Sequence, residues 1–157
     1  MLSALCPDDS EFTIMKLSGR KVNAQVRFVV LCWSVLDPLA RYHMVKRKAI
    51  YRLIDAHHAY WPSEEAMAKG NPQLIVENST FSACPPVLLL QGTADDNLTP
   101  DMADRFANAY KSAGGSIILE KFDNQPHAFI GKDPYSEASL RAISLMKDFI
   151  LRETGYV

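Results

Sequence analysis

Two polar residues, each just past the end of an apolar run, carry the most specific chemistry in this chain. Residues 85–100 read Pro-Pro-Val-Leu-Leu-Leu-Gln-Gly-Thr-Ala-Asp-Asp-Asn-Leu-Thr-Pro. His127, in Pro126-His127-Ala128-Phe129, follows Asp95 by 32 positions. An acid can hold an imidazole in one tautomer and stabilise its cation, while the imidazole serves a nucleophile as base and then acid. Asp95 and His127 therefore supply two thirds of a Ser-His-Asp constellation. If so, a carboxylate oxygen of Asp95 should lie roughly 2.6–3.2 Å from the His127 ring. The competing readings are a turn-capping Asp95 and an ordinary surface His127. Asp96 reads as a solvent-exposed turn acid. None of the 12 serines lies in Gly-x-Ser-x-Gly. Ser3 has neither a strand before it nor a glycine turn around it.

The elements that must place these two residues follow from periodicity. Residues 26–33 form a β-rich run with little alternation, which suits a strand buried on both faces of a parallel sheet. Residues 87–91 are a second such run. Thr99-Pro100-Asp101 opens a helix with a hydroxyl N-cap, Pro at N1 and acids in the first turn. Its apolar face is Met102, Phe106, Ala109, Tyr110 and Ala113, and Gly114-Gly115 stops it. Residues 116–122 are a third strand. Asp133-Pro134 is expected to cap a last helix with Ala138, Ala142, Leu145, Met146 and Phe149 on one side. Residues 1–5 read as the end of a helix. Residues 38–69 carry two or so helices, broken at Pro62 and at Gly70-Asn71-Pro72. Strands alternating with helices imply an α/β fold with right-handed parallel crossovers, three strands being visible. In such sheets ligands bind beyond the carboxyl ends of the strands, where Asp95 and His127 both fall.

Asp before His, with Ser upstream of both, is the chain order of α/β-hydrolases. "PPVLLLQGTADDNLTP", then "AGGSIILEKFDNQPHAFIG" and a closing amphipathic helix, resembles the C-terminal part of an α/β-hydrolase esterase or lipase. That group shows a strand, then H-G-x-x-D-x-x-V-P, and later G-H-x-F. "VRFVVLCWSVLDPLARY" resembles the strand and cap entry of feruloyl-esterase-like and hormone-sensitive-lipase-like members. The resemblance covers most of residues 22–152. Departures are Gln91 for the usual His, Leu98 and Thr99 for Val-Val or Val-Pro, and Ala128 for a small Gly. By motif, Asp95 is the triad acid and His127 the triad His. The resemblance implies the C-terminal portion of the hydrolase fold, one partial domain over 1–157 with a helical cap-like insert at 38–84. It implies a carboxylic-ester substrate and no cofactor. The nucleophile elbow would precede strand 26–33, with Met1 starting just downstream of the serine. Completion by a nucleophile-bearing segment is one expectation. The other is a non-catalytic interaction protein that uses the unpaired edge of strand 26–33 through a two-fold copy or a partner chain, unless a rearranged segment of residues 1–25 covers that edge.

Composition narrows the rest. Apolar residues make up 48% and charged residues 22%, enough for one core. A net charge of −1 gives no reason to expect nucleic acid or an anionic membrane as partner. No apolar run approaches the roughly 20 residues of a membrane span, and the N-terminus is not a secretory signal. Cys6, Cys32 and Cys84 are widely spaced, without a C-x-x-C pair, so no metal site is suggested and a reducing, cytoplasmic setting is expected. His57-His58 lack an acid at i+3 or i+4 and read as packing residues rather than ligands. Asp37 and Arg41 are spaced to pair across one helical turn. Lys46-Arg47-Lys48 reads as a solvated face. Trp33, Tyr42, Tyr60 and Trp61 either line a pocket under the cap or form the cap's own core.

Overall fold

The computed structural model describes residues 1–12, 16–17, 19–21 and 25–156. Helix α1 (Leu2–Leu5) leads to a small antiparallel ladder of β1 (Lys16–Leu17) and β2 (Arg20–Lys21). Strand β3 (Val29–Cys32) is followed by four helices, α2 (Pro38–Arg47), α3 (Tyr51–Tyr60), α4 (Glu64–Lys69) and α5 (Pro72–Glu77). Then come β4 (Val87–Gly92), α6 (Pro100–Ser112), β5 (Ile117–Phe122), α7 (Phe129–Lys132) and α8 (Glu137–Thr154).

Strands β3, β4 and β5 lie side by side in that order, all parallel, with Val29 opposite Val87 and Val87 opposite Ile117. Every residue of β4 is buried. Successive side chains of a strand face opposite sides, and the packing follows that rule. Val87 and Leu89 join Leu31 and Ile117 in a core closed by Leu5 of α1, Ile75 and Val76 of α5, and Phe106 and Tyr110 of α6. Leu88 and Leu90 join Phe122, Phe129 and, from α8, Ala142 and Phe149. Helices on both faces explain why the runs that form β3 and β4 show so little alternation. Tyr110 is wholly buried, and its hydroxyl is satisfied by donating to the Pro85 carbonyl at 2.6 Å. A third, smaller cluster of Met44, Val45 and Leu53 holds α2 to α3, with Met102 of α6 packed against it.

Several boundaries differ from expectation. The strand expected over 26–33 shortens to Val29–Cys32. Its ladder starts where Val29 N–H donates to the Pro86 carbonyl, and Pro85-Pro86 have no N–H with which to extend the pairing. At the other end Trp33 leaves extended conformation with φ of +43°. Residues 38–69 hold three helices rather than two, because Ala49, at φ +52°, turns the chain between α2 and α3 with no Gly or Pro to signal it. Helix α8 is capped by Ser136, whose Oγ accepts from Ser139 N–H, not by Asp133-Pro134. The Asp133 carbonyl instead accepts from the hydroxyls of Ser136 and Ser139. Thr99 occupies the N-cap of α6, but its hydroxyl makes no capping bond. Strand β3 pairs with β4 and no other strand among the described residues. Leu5 of α1 packs in the same core as Leu31 of β3. Residues 13–15, 18 and 22–24 of the N-terminal segment lie outside the described residues.

Gly92 sets the distance between the two chemistry-bearing loops. A Cβ there would sit 2.2 Å from the Gln125 carbonyl oxygen and 2.8 Å from its carbon. The loop after β5 therefore rests directly on the backbone at the end of β4. Ala94 N–H donates to the Gln125 carbonyl at 3.0 Å, and Asn124 N–H donates to Thr93 Oγ1 at 2.8 Å. Because the obstruction is backbone, no side chain can rotate away from it. Gly92→Ala should destabilise the fold by about 1–3 kcal/mol or more and move the 123–128 loop. An unchanged urea midpoint with unchanged amide shifts in that loop would contradict this.

Candidate active site

The two loops bring Asp95 and His127 together. Asp95 Oδ2 lies 2.9 Å from His127 Nδ1 and accepts from Gln91 Nε2 at 2.8 Å. Its Oδ1 accepts from the backbone N–H groups of Asn97 at 2.8 Å and Leu98 at 3.0 Å. Four donors thus converge on one carboxylate whose side chain is 0% exposed, matching its four lone-pair positions. Burial of an ionised carboxylate is costly unless it is hydrogen-bonded in this way. Asp96 is exposed and takes no part.

The other ring nitrogen of His127 is also engaged. Asn97 Nδ2 lies 2.9 Å from Nε2. The opposite end of the same carboxamide, Oδ1, accepts from Arg41 Nη2, and the Asn97 carbonyl accepts from Arg41 Nε at 3.1 Å. A guanidinium only donates. Arg41 therefore fixes the amide with oxygen toward itself and NH₂ toward His127. Nε2 must then offer its lone pair, and Nδ1 must carry the proton that is donated to Asp95. The directions agree at every step. Long-range ¹H–¹⁵N NMR should find the neutral His127 ring protonated on Nδ1, and a ring protonated on Nε2 would contradict the assigned amide orientation.

Around His127 the chain is aromatic. Trp33 meets it edge-on at 6.3 Å and meets Phe129 at 5.5 Å, and Phe129 is buried against Phe122. Ala128 holds φ +58° and ψ +34°, a left-handed conformation that glycine adopts without strain. This is the position where the motif's small Gly is replaced.

The helical segment supplies the far side of the network. Asp37 does not pair with Arg41. Its Oδ1 caps α2 at Ala40 N–H and accepts from Asn71 Nδ2 at 2.8 Å, while Oδ2 meets Arg105 at 3.1 Å. Arg41 turns instead toward His57, with Nη1 3.0 Å from His57 Nε2. His57 must accept there, so it is neutral, and burial, Arg41 and His58 push its pKa down to about 4. His58 meets the Tyr42 hydroxyl at 2.7 Å. Among the described residues no group of three His, Cys, Asp or Glu is placed to hold a metal ion.

The aromatic quartet divides. Tyr60 and Trp61 line a cavity of about 530 Å³ with Leu31, Leu36, Arg41 and His57. Tyr42 is buried against the histidines, and Trp33 packs at His127. Asp95 and His127 are not in that cavity's wall. Lys46, Arg47 and Lys48 are exposed, as is Ser3, and Cys6, Cys32 and Cys84 are free thiols. The sequence reading missed the roles of Gln91, Asn97 and Arg41. Asn97, two residues after Asp95, is a signal for a turn, but Arg41 reaches it across 56 positions that no local pattern encodes.

Solved structures share this fold. An esterase from the planctomycete Thermogutta terrifontis, with butyrate bound, superimposes with a TM-score of 0.63 at 23% identity, over 88% of this chain and 48% of that one. Its propionate-bound form gives 0.62 at 22% identity, over 87% and 46%. A puromycin hydrolase gives 0.60 at 22% identity, over 82% of this chain and 18% of that one. The chain has a partial α/β-hydrolase fold. It spans under half the length of each of these structures. No family model and no curated protein matches the sequence.

The depressed pKa of His57 carries a stability consequence. A folded value near 4 against 6.5 when unfolded means the unfolded chain binds the proton first as pH falls. The stabilisation is present in full above pH 6.5 and is lost as pH drops through about 4. At 1.36 kcal/mol per unit the swing is about 3 kcal/mol. His57→Gln keeps an acceptor for Arg41 but cannot titrate. The stability gap between wild type and this variant, followed by urea unfolding, should therefore shift in the variant's favour as pH falls across that window. A pH-independent gap would show that His57 does not titrate as buried.

Proposed function

We propose that Asp95 and His127 are the acid and the base of a serine-type carboxylic-ester hydrolase, and that the nucleophilic serine comes from sequence outside these 157 residues. The observation that carries this reading is the polarity at His127. Nδ1–H faces a fully buried carboxylate, and Nε2 offers a lone pair. With a serine hydroxyl at Nε2, the ring would take its proton as the oxygen attacks the ester carbonyl. It would then return that proton to the departing alcohol, with Asp95 stabilising the imidazolium between the two steps. Water repeats the sequence on the acyl-enzyme and releases the acid. The Asn97 amide now holds the place a hydroxyl would take, so it must yield when the nucleophile is seated. The ester-processing fold relatives support the reaction class, and the helices over 38–84 would be a cap. The three free thiols support a cytoplasmic setting.

The isolated chain should hydrolyse p-nitrophenyl butyrate no faster than free imidazole does. Joined to the missing segment, whether encoded in frame upstream or as a separate polypeptide, it should yield one serine labelled by a fluorophosphonate. His127→Ala or Asp95→Asn should then lower kcat by a factor on the order of 10⁴. Stoichiometric labelling of a serine within these 157 residues would overturn the assignment.

A second reading rests on β3, which pairs on one side only among the described residues. An open edge is a template for another chain. On this reading the chain is an interaction protein derived from a hydrolase, joined to a second copy or a partner through residues 26–33. Light scattering that finds a monomer, together with rapid amide exchange over 27–32, would exclude the second copy.

A further inference from the structure

Among the described residues Arg41 is a buried cation with no acid in ion-pair contact. It is 8% exposed, and no carboxylate among the described residues lies within ion-pair distance of it. Its partners are neutral: the Asn97 carbonyl, the Asn97 amide oxygen and His57 Nε2. Those three bonds use three of the five N–H groups of a guanidinium, leaving one on each terminal nitrogen with no acceptor among the described residues. The field of the Asp95 carboxylate favours the charged guanidinium, but its four lone-pair positions are filled by other donors. A charge in this state is costly to bury unless something pairs with it.

Arg41 is also part of the wall of the 530 Å³ cavity. Among the described residues no Asp or Glu lines that cavity. His57 lines it too; because Nε2 accepts from Arg41, its Nδ1 carries the proton, on the side of the ring away from the guanidinium. The remaining wall is largely apolar, with Leu31, Leu36 and Trp61. Apolar walls with a polar group fixed among them describe a small-molecule site, and the planar guanidinium suits a planar two-oxygen acceptor.

We propose that this cavity is a binding site for a small carboxylic acid with a compact apolar body, its carboxylate held by the remaining N–H groups of Arg41 and its body against Leu31, Leu36 and Trp61. The site is separate from the Asp95–His127 pair, since neither residue lines it. Binding there does not depend on hydrolysis, so the two proposals stand or fall separately.

Trp61 provides the readout. The chain has 2 tryptophans, so Trp33→Phe leaves Trp61 as the only one. Benzoate titrated into this variant at pH 7 should change Trp61 fluorescence saturably, and the isosteric but uncharged benzamide should bind about tenfold or more weakly. Arg41→Gln, made in the same background, should weaken benzoate to the level of benzamide, while Arg41→Lys, a cation without the fork, should fall between. Equal binding of benzoate and benzamide, or no saturable response at millimolar benzoate, would overturn the proposal. The ligand comparison uses a chain with Arg41 intact and so stands even if Arg41→Gln does not fold.

Discussion

Arg41 can donate hydrogen bonds but never accept one, and that one-way character orders the polar interior of this protein. Its bond to the Asn97 amide oxygen turns the amide NH₂ toward His127. The imidazole is then left with one possible neutral tautomer, the one that suits the buried carboxylate of Asp95. On the other flank the same guanidinium requires His57 to accept, so that histidine is kept neutral. Two histidines, far apart in sequence, are thus assigned the same neutral tautomer, protonated on Nδ1, by one side chain that touches only one of them. A lysine could not impose this, since an ammonium presents no planar fork to reach the Asn97 carbonyl, its amide oxygen and His57 together.

Backbone geometry does the coarse placement and hydrogen bonding the fine placement. Residues of β4 pair in register with β3 and β5 along the strand, which fixes where both loops depart. Gly92 then lets one loop lie on the other. Gln91, the last side chain of the buried strand run, reaches Asp95 across four residues and ties the acid to the sheet itself. The carboxylate is consequently held by the strand before it, the turn after it and the loop beside it.

The parts of this arrangement that could be read from the sequence are those with a local signature. The strand runs at 87–91 and 116–122, the Pro100 and Gly114 punctuation of α6, and the Gly92-to-Asp95 spacing all reflect physics within a few residues. The motif that singled out Asp95 and His127 selected two side chains that lie within hydrogen-bond distance. Other features had no local sign. Ala49 and Ala128 adopt left-handed conformations because packing on either side demands a turn there, not because their residue type favours it. Asp37 was within reach of Arg41 by helical spacing, yet a distant asparagine and a distant arginine, Asn71 and Arg105, took its oxygens. The Arg41–Asn97 contact depends on how the helices settle over the sheet, and nothing short of the folded chain specifies that.

The three clusters of buried side chains are unequal, and the inequality falls along the hydrogen-bond chain. Gln91 and Gly92 belong to a strand buried throughout its length, with cores on both faces. Arg41 and His57 stand on α2 and α3, whose shared cluster has three buried members. Elements with little buried apolar contact open at lower free energy than the global transition. Local opening of α2 and α3 would therefore withdraw Arg41 and free the Asn97 amide while the Asp95–His127 contact stayed closed on the rigid sheet. The imidazole and its acid thus exchange with solvent on the clock of the whole molecule, whereas the group that covers Nε2 does so on the faster clock of a two-helix satellite.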